Sequence, residues 1–159
     1  MQTDPNFSNF LFDRHTGKIQ LLDFGAWREY PDDFVETYLS LLRAGRRRDR
    51  QSCKDLSIKL GYLTGLESKT MMDAHIESIF ILAEPFRGGA EAGERYDFSV
   101  QTVTERVKSL IPVMVRERLT PPPEETYSLH RKLSGAFLVC ARLRSRVDCE
   151  GVFGEVVGF

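Results

Sequence analysis

The chain has 159 residues, with 22 Lys and Arg against 23 Asp and Glu and a formal net charge of −1. That length suits one domain with a single modest core. Hydrophobic residues at 42% and charged residues at 28% exclude a disordered chain, and the balanced charge argues against a nucleic-acid partner.

The first residues, Met1 to Asn6, are polar, with no cationic or apolar run of the kind that marks a signal or transit peptide. Asn9 to Asp13 and Lys18 to Leu22 read as two short strands around the polar turn Arg14-His15-Thr16-Gly17, which is a hairpin signal. The second strand ends at Asp23-Phe24-Gly25. Pro31-Asp32-Asp33 is a helix start, with acids at the positive helix end. Phe34, Tyr38, Leu41 and Leu42 then recur at helical spacing as far as Arg46-Arg47-Arg48.

Further helices are expected over Arg50 to Leu60, Glu67 to Ala83, Val100 to Leu119 and Glu124 to Val147. Pro112 is expected to kink or interrupt the third of these. Phe86 to Tyr96, holding Gly88, Gly89 and Gly93, reads as a loop, and periodicity assigns no element after Gly151. The longest apolar stretches, such as Ile79 to Ala83, fall far short of the ~20 residues that span a bilayer. A lone hairpin is marginal in water, so a bundle preceded by one hairpin reads as the second half of a larger fold.

Chemistry concentrates at the hairpin. Asp4 stands before it, Asn9 at its start and Asp23 at its exit, and a hairpin brings its two ends together. Two carboxylates and an amide oxygen are hard donors that suit Mg²⁺. The spacing Asp-x4-Asn, hairpin, Asp-Phe-Gly matches the catalytic and metal loops of protein kinases. In that template the first Asp orients the acceptor, Asn and the second Asp hold metal, and Gly25 lets the backbone turn beneath the phosphates. A chance match to all five letters at fixed spacing is on the order of one in ten thousand, which favours the motif over an ordinary surface hairpin.

Three segments carry a more specific likeness: Gln2 to Phe10, Leu21 to Ala26 with Arg28-Glu29, and Pro121 to Lys132. Together they resemble the UbiB family of atypical protein-kinase-like proteins, in its mitochondrial branch that supports coenzyme Q (ubiquinone) biosynthesis. The resemblance runs from Gln2 to Cys149. It implies a mainly α fold over residues 1–150, the C-terminal lobe of a protein-kinase-like fold in which a β-hairpin carries the catalytic and metal loops and a helical bundle follows, with 151–159 as a tail. It also implies Mg²⁺ and ATP as cofactors and an ATPase or small-molecule kinase-type activity. Location on the matrix side of the inner mitochondrial membrane and association with coenzyme Q biosynthesis enzymes are implied as well. By the same resemblance Asp4 fills the catalytic position, Asn9 and Asp23 the metal-ligand positions, and Asp23 with Gly25 the nucleotide-binding positions.

The chain departs from the family pattern in one respect. No Gly- or Ala-rich phosphate loop, Val-Ala-Ile-Lys-type lysine or Lys-x-Gly-Gln motif precedes Asp4, so without an N-terminal lobe the chain is expected to be inactive by itself. Arg28-Glu29-Tyr30-Pro31 runs almost at once into a helix, with no Ala-Pro-Glu, which disfavours a protein substrate. The competing reading is a non-catalytic helical interaction module that binds coenzyme Q biosynthesis proteins or membrane lipid. An aminoglycoside-phosphotransferase-like kinase shares the loop logic, but not Pro121 to Lys132.

Other features read as structural. Arg43, Arg46, Arg47, Arg48 and Arg50 form either an anionic-lipid patch or a helix end complemented by cations, and the helix end is favoured. Met71, Met72, Ile76, Ile79 and Phe80 read as core, as do Tyr127, Leu133, Phe137, Cys140 and Leu143. His75 reads as structural or surface, and His130 as bonded to a helix neighbour. Cys53, Cys140 and Cys149 form an odd set without a Cys-x-x-Cys, which argues for free thiols and against a zinc site.

Overall fold

Residues 1–88 and 94–158 are described by the computed structural model of the chain. The hairpin pairs β1 (Phe10–Asp13) with β2 (Lys18–Leu21), in a register that runs from Phe10 opposite Leu21 to Asp13 opposite Lys18. Asp13 builds the turn. Its carboxylate accepts from the His15 amide at 2.9 Å and the Thr16 hydroxyl at 2.7 Å, and these bonds hold it below the usual carboxylate range. Gly17 closes the turn with a φ of 67°, a left-handed conformation that glycine adopts without strain.

The helices are α1 (Asp32–Arg46), α2 (Arg50–Lys59), α3 (Lys69–Ala83), α4 (Val103–Glu117), α5 (Glu124–Arg142) and α6 (Cys149–Val157). A two-residue ladder pairs β3 (Tyr96–Asp97) with β4 (Arg146–Val147). Caps fix several starts: the Asp49 side chain accepts from the Ser52 amide, Ser68 from Met71 and Asp148 from Gly151. At Gly45 an added Cβ would sit 2.9 Å from that of Ala83, so α1 and α3 cross at a distance only glycine permits. Tyr38, Leu41, Leu42, Met71, Ile76 and Ile79 make the main core. Ile81, Phe98, Val103, Phe137 and Cys149 make a second.

One helix boundary differs clearly from the periodicity. α5 stops at Arg142, five residues before Val147, because Arg144 turns left-handed at a φ of 49°. The Ser145 amide then bonds back to the Cys140 carbonyl at 3.0 Å, which closes a Schellman-type end. Arg48, with a φ of 54°, closes α1 the same way, with the Asp49 amide on the Ala44 carbonyl. Both stops use arginine where glycine is the usual signal.

α4 runs through Pro112 without interruption. Pro112 and Lys108, whose carbonyl would have received its N–H, are both exposed, so solvent takes the freed acceptor. α6 occupies the end for which periodicity assigns no element: Phe153 enters the core against Phe86, and Arg43 donates to the Val157 carbonyl at 2.7 Å. Tyr127 and Leu143, expected in the core, are exposed. Gly89 and Gly93 of the expected loop lie outside the described residues.

The arginine run is a staple. Arg46 pairs with Glu150 at 2.8 Å and lies over the Phe153 ring. Arg48 pairs with Glu77 and covers Phe80, and Arg50 pairs with Asp73. The contacts tie the end of α1 to α3 and α6. Cys53, Cys140 and Cys149 are free thiols, and burial pushes Cys53 and Cys149 up to about 11, which leaves both unreactive at neutral pH. No helix among the described residues is long and apolar enough to cross a membrane.

Candidate active site

Backbone pairing closes the base of the hairpin segment. Gln2 and Trp27 form an antiparallel bridge, the Thr3 amide donates to the Ala26 carbonyl at 2.8 Å, and the Arg28 amide donates to the Met1 carbonyl. Asp4 therefore leaves this ladder directly opposite the point where Gly25 enters it. Farther out, the Leu22 amide donates to the Asn9 carbonyl at 2.8 Å, so Asp23 follows the residue paired with Asn9.

A 3-10 turn over Phe7–Asn9, capped by the Asn6 side chain, brings Asn9 back onto Asp4. Asn9 is buried, and its Nδ2 donates to Asp4 Oδ2 at 3.0 Å. Across the base, Asp23 Oδ1 accepts from the Gly25 amide at 2.7 Å. Four of the expected residues thus form two bonded pairs, Asp4 with Asn9 and Asp23 with Gly25, with no hydrogen bond between the pairs among the described residues.

Asp23 is exposed and, among the described residues, its second carboxylate oxygen accepts no hydrogen bond and the Asn9 amide oxygen has only a 3.5 Å contact from the Ser8 hydroxyl. Both are oxygen donors of the type a hard divalent cation takes. Among the described residues no group of three or more His, Cys, Asp or Glu could hold a metal ion; the set here is two carboxylates and an amide.

Asp4 lines a cleft of about 400 Å³ together with Pro5, Phe7, Arg131, Leu138 and Arg142. Arg142 lies over the Phe7 ring, 5.5 Å from its centroid. Gly135, which periodicity leaves unremarked, is what lets the loop approach: a Cβ there would overlap the Pro5 ring. Glycine within a helix costs about 1 kcal/mol relative to alanine, and the close passage of this loop is its physical reason.

The three segments that carry the family likeness meet in space. Arg28 pairs with Glu124 at 3.3 Å, the Tyr30 and Ser128 hydroxyls bond at 2.8 Å, and Lys132 Nζ donates to Gln2 Oε1 at 3.4 Å. Glu124 and Glu125 open α5 as its acidic first turn, as expected.

The two enclosed histidines belong to a column of rings. His75 bonds Ser57 at 3.0 Å, and Tyr62 lies between His75 and His130, with centroids 5.7 and 6.5 Å away. Among the described residues the His130 imidazole hydrogen-bonds no helix neighbour; it packs against Tyr38 and Tyr62. Burial first, and then the charge of Arg118, lowers both imidazoles to about 4.

The closed hairpin base sets an Asp-Asn pair on one side and Asp-Phe-Gly on the other, in the order of the kinase-like motif expected from the sequence. Residues 1–57 match the model of the ABC1 atypical kinase-like domain. The chain is 58% identical over 157 residues to "Atypical kinase COQ8, mitochondrial" of Schizosaccharomyces pombe, covering 99% of this chain and 25% of that protein. It is 52% identical over 159 residues to the protein of the same name from Saccharomyces cerevisiae, covering 100% of this chain and 31% of that protein. "Probable serine/threonine-protein kinase abkA" of Dictyostelium discoideum is 47% identical over 158 residues, with 98% of this chain and 28% of that protein covered. These likenesses support assigning the chain to the UbiB (ABC1) family of atypical kinase-like proteins. The chain spans about a quarter to a third of the length of these relatives, and the COQ8 relatives' names support a mitochondrial location by resemblance.

Proposed function

We propose that the chain is the C-terminal lobe, over residues 1–150, of an atypical kinase-like ATPase that supports coenzyme Q biosynthesis on the matrix side of the inner mitochondrial membrane. Asn9 and Asp23 would hold Mg²⁺, and the ion when bound would neutralise phosphate charge. Asp4 orients a water or small acceptor through its carboxylate, which the Asn9 amide fixes in place. Gly25 keeps the backbone after Asp23 close and turned, with its amide on the Asp23 carboxylate. Arg131 and Arg142, in the cleft beside Asp4, supply positive charge for an anionic reactant.

The observation that carries this reading is the closed base: pairing of Thr3 with Ala26 sets the Asp4-Asn9 pair opposite Asp23-Phe24-Gly25. The test is Asp23→Asn in the full-length protein. Mg-dependent ATP hydrolysis is expected to fall roughly 100-fold or more, and unchanged hydrolysis would sink the ligand assignment. Mg-ATP at 100 times its Kd should add about 2.7 kcal/mol of stability. A non-catalytic interaction module would gain none.

A further inference from the structure

We infer that the cavity between α1, α3, α4 and α5 binds a small monocarboxylate with an apolar body, its carboxylate held by Arg118. The cavity measures about 290 Å³ and is walled by Leu41, Ile79, Leu82 and Met114 together with the Tyr38 and His130 rings. Neither Asp4, Asn9 nor Asp23 lines it, so the inference is independent of the Mg-ATP reading.

Arg118 supplies the reason for an anion. It caps the end of α4 and is half-buried, and its Nε is enclosed without a hydrogen-bond partner. Its side chain forms no ion pair among the described residues, whereas Arg28, Arg46, Arg48, Arg50, Arg106 and Arg116 each have one. Two nearby acids are engaged elsewhere: Glu117 with Ser68 and Arg116, and Glu67 with the Thr64 and Gly65 amides. An enclosed guanidinium N–H left unpaired is costly, and a guanidinium fork matches a carboxylate in two parallel hydrogen bonds.

The charge count selects the class. His75 and His130 line the same cavity and are neutral at pH 7, so Arg118 is its one positive charge among the described residues. One cation calls for a monoanion and not a phosphate dianion. The volume, at a liquid-like ~30 Å³ per heavy atom, accepts roughly ten heavy atoms.

Octanoate, against octanol as its uncharged counterpart, tests this on the full-length protein by NMR of the His15, His75 and His130 imidazoles. Octanoate should shift the His75 and His130 signals, leave His15 in the hairpin turn unchanged, and bind at least tenfold tighter than octanol. Arg118→Gln should abolish that tenfold preference, and Arg118→Lys should retain part of it. Equal binding of octanoate and octanol to the wild-type protein, or an octanoate preference undiminished in Arg118→Gln, would overturn the assignment. If Arg118→Gln fails to fold, the octanoate–octanol comparison on the wild-type protein decides alone.

Discussion

The hairpin segment and the helical body are stabilised by different means. In the body, Met71 is 0% and Ile76 1% exposed, and burial supplies the stability. In the hairpin segment, Phe12 is 63%, Ile19 69% and Trp27 55% exposed. That segment keeps its shape by the Thr3–Ala26 and Asn9–Leu22 backbone bonds, the Asp13 turn, and the Arg28 and Tyr30 clasps onto α5. The expected catalytic groups therefore sit on the part with almost no core of its own. Their placement depends on directed polar bonds, while the body beneath them sets the overall stability.

Acid should break the body first. His75 and His130 are held at about 4 against an ordinary 6.5, so the unfolded chain binds more protons than the folded one between those values. The stability they contribute is complete above pH 6.5 and is lost as pH falls toward 4. Lowering the pH from 7.5 to 5 should cost about 2 kcal/mol for each imidazole, measured by urea unfolding. A His130→Gln variant with the same pH slope would contradict this origin.

Removing buried volume comes next. Ile76→Ala should destabilise the body by about 3 kcal/mol, whereas Phe12→Ser on the exposed hairpin should cost about 0.5 kcal/mol or less. Similar losses at both positions would erase the contrast. A smaller effect is expected from Gly135→Val, which pushes the loop carrying Asp4 outward through Pro5. ATP hydrolysis should fall roughly tenfold with the melting temperature nearly unchanged. Smallest of all, Arg28→Gln should cost about 0.5 kcal/mol, because the pair with Glu124 is solvent-exposed. A loss above about 2 kcal/mol would mean that the clasp carries stability as well as position.

Local features were legible in the sequence. Asp4, Asn9 and Asp23 could be grouped because a hairpin with a Gly turn joins its own ends, and α1 to α4 begin or end close to their cap and periodicity signals. Less legible was whatever depends on distant partners. The end of α5 is set by the left-handed Arg144, a position where an arginine gives no stop signal. α6 contains Gly151 and Gly154, weak helix formers, and holds because Phe153, Glu150 and its final carbonyls meet α1 and the core. Gly135 has meaning only beside Pro5, and the ring contacts of His130 come from Tyr38 on α1 and Tyr62 after α2.

The ladder at Gln2 and Trp27 also makes the hairpin tip a permissive place for engineering. Everything between Asp13 and Lys18 lies beyond the strand register that fixes the polar groups below. A loop lengthened there incurs only ~0.6 kcal/mol per doubling of its length. A short epitope or a fluorophore-bearing cysteine inserted between His15 and Gly17 would give up the Asp13–Thr16 bond while the ladder below kept Asp4 and Asp23 in place.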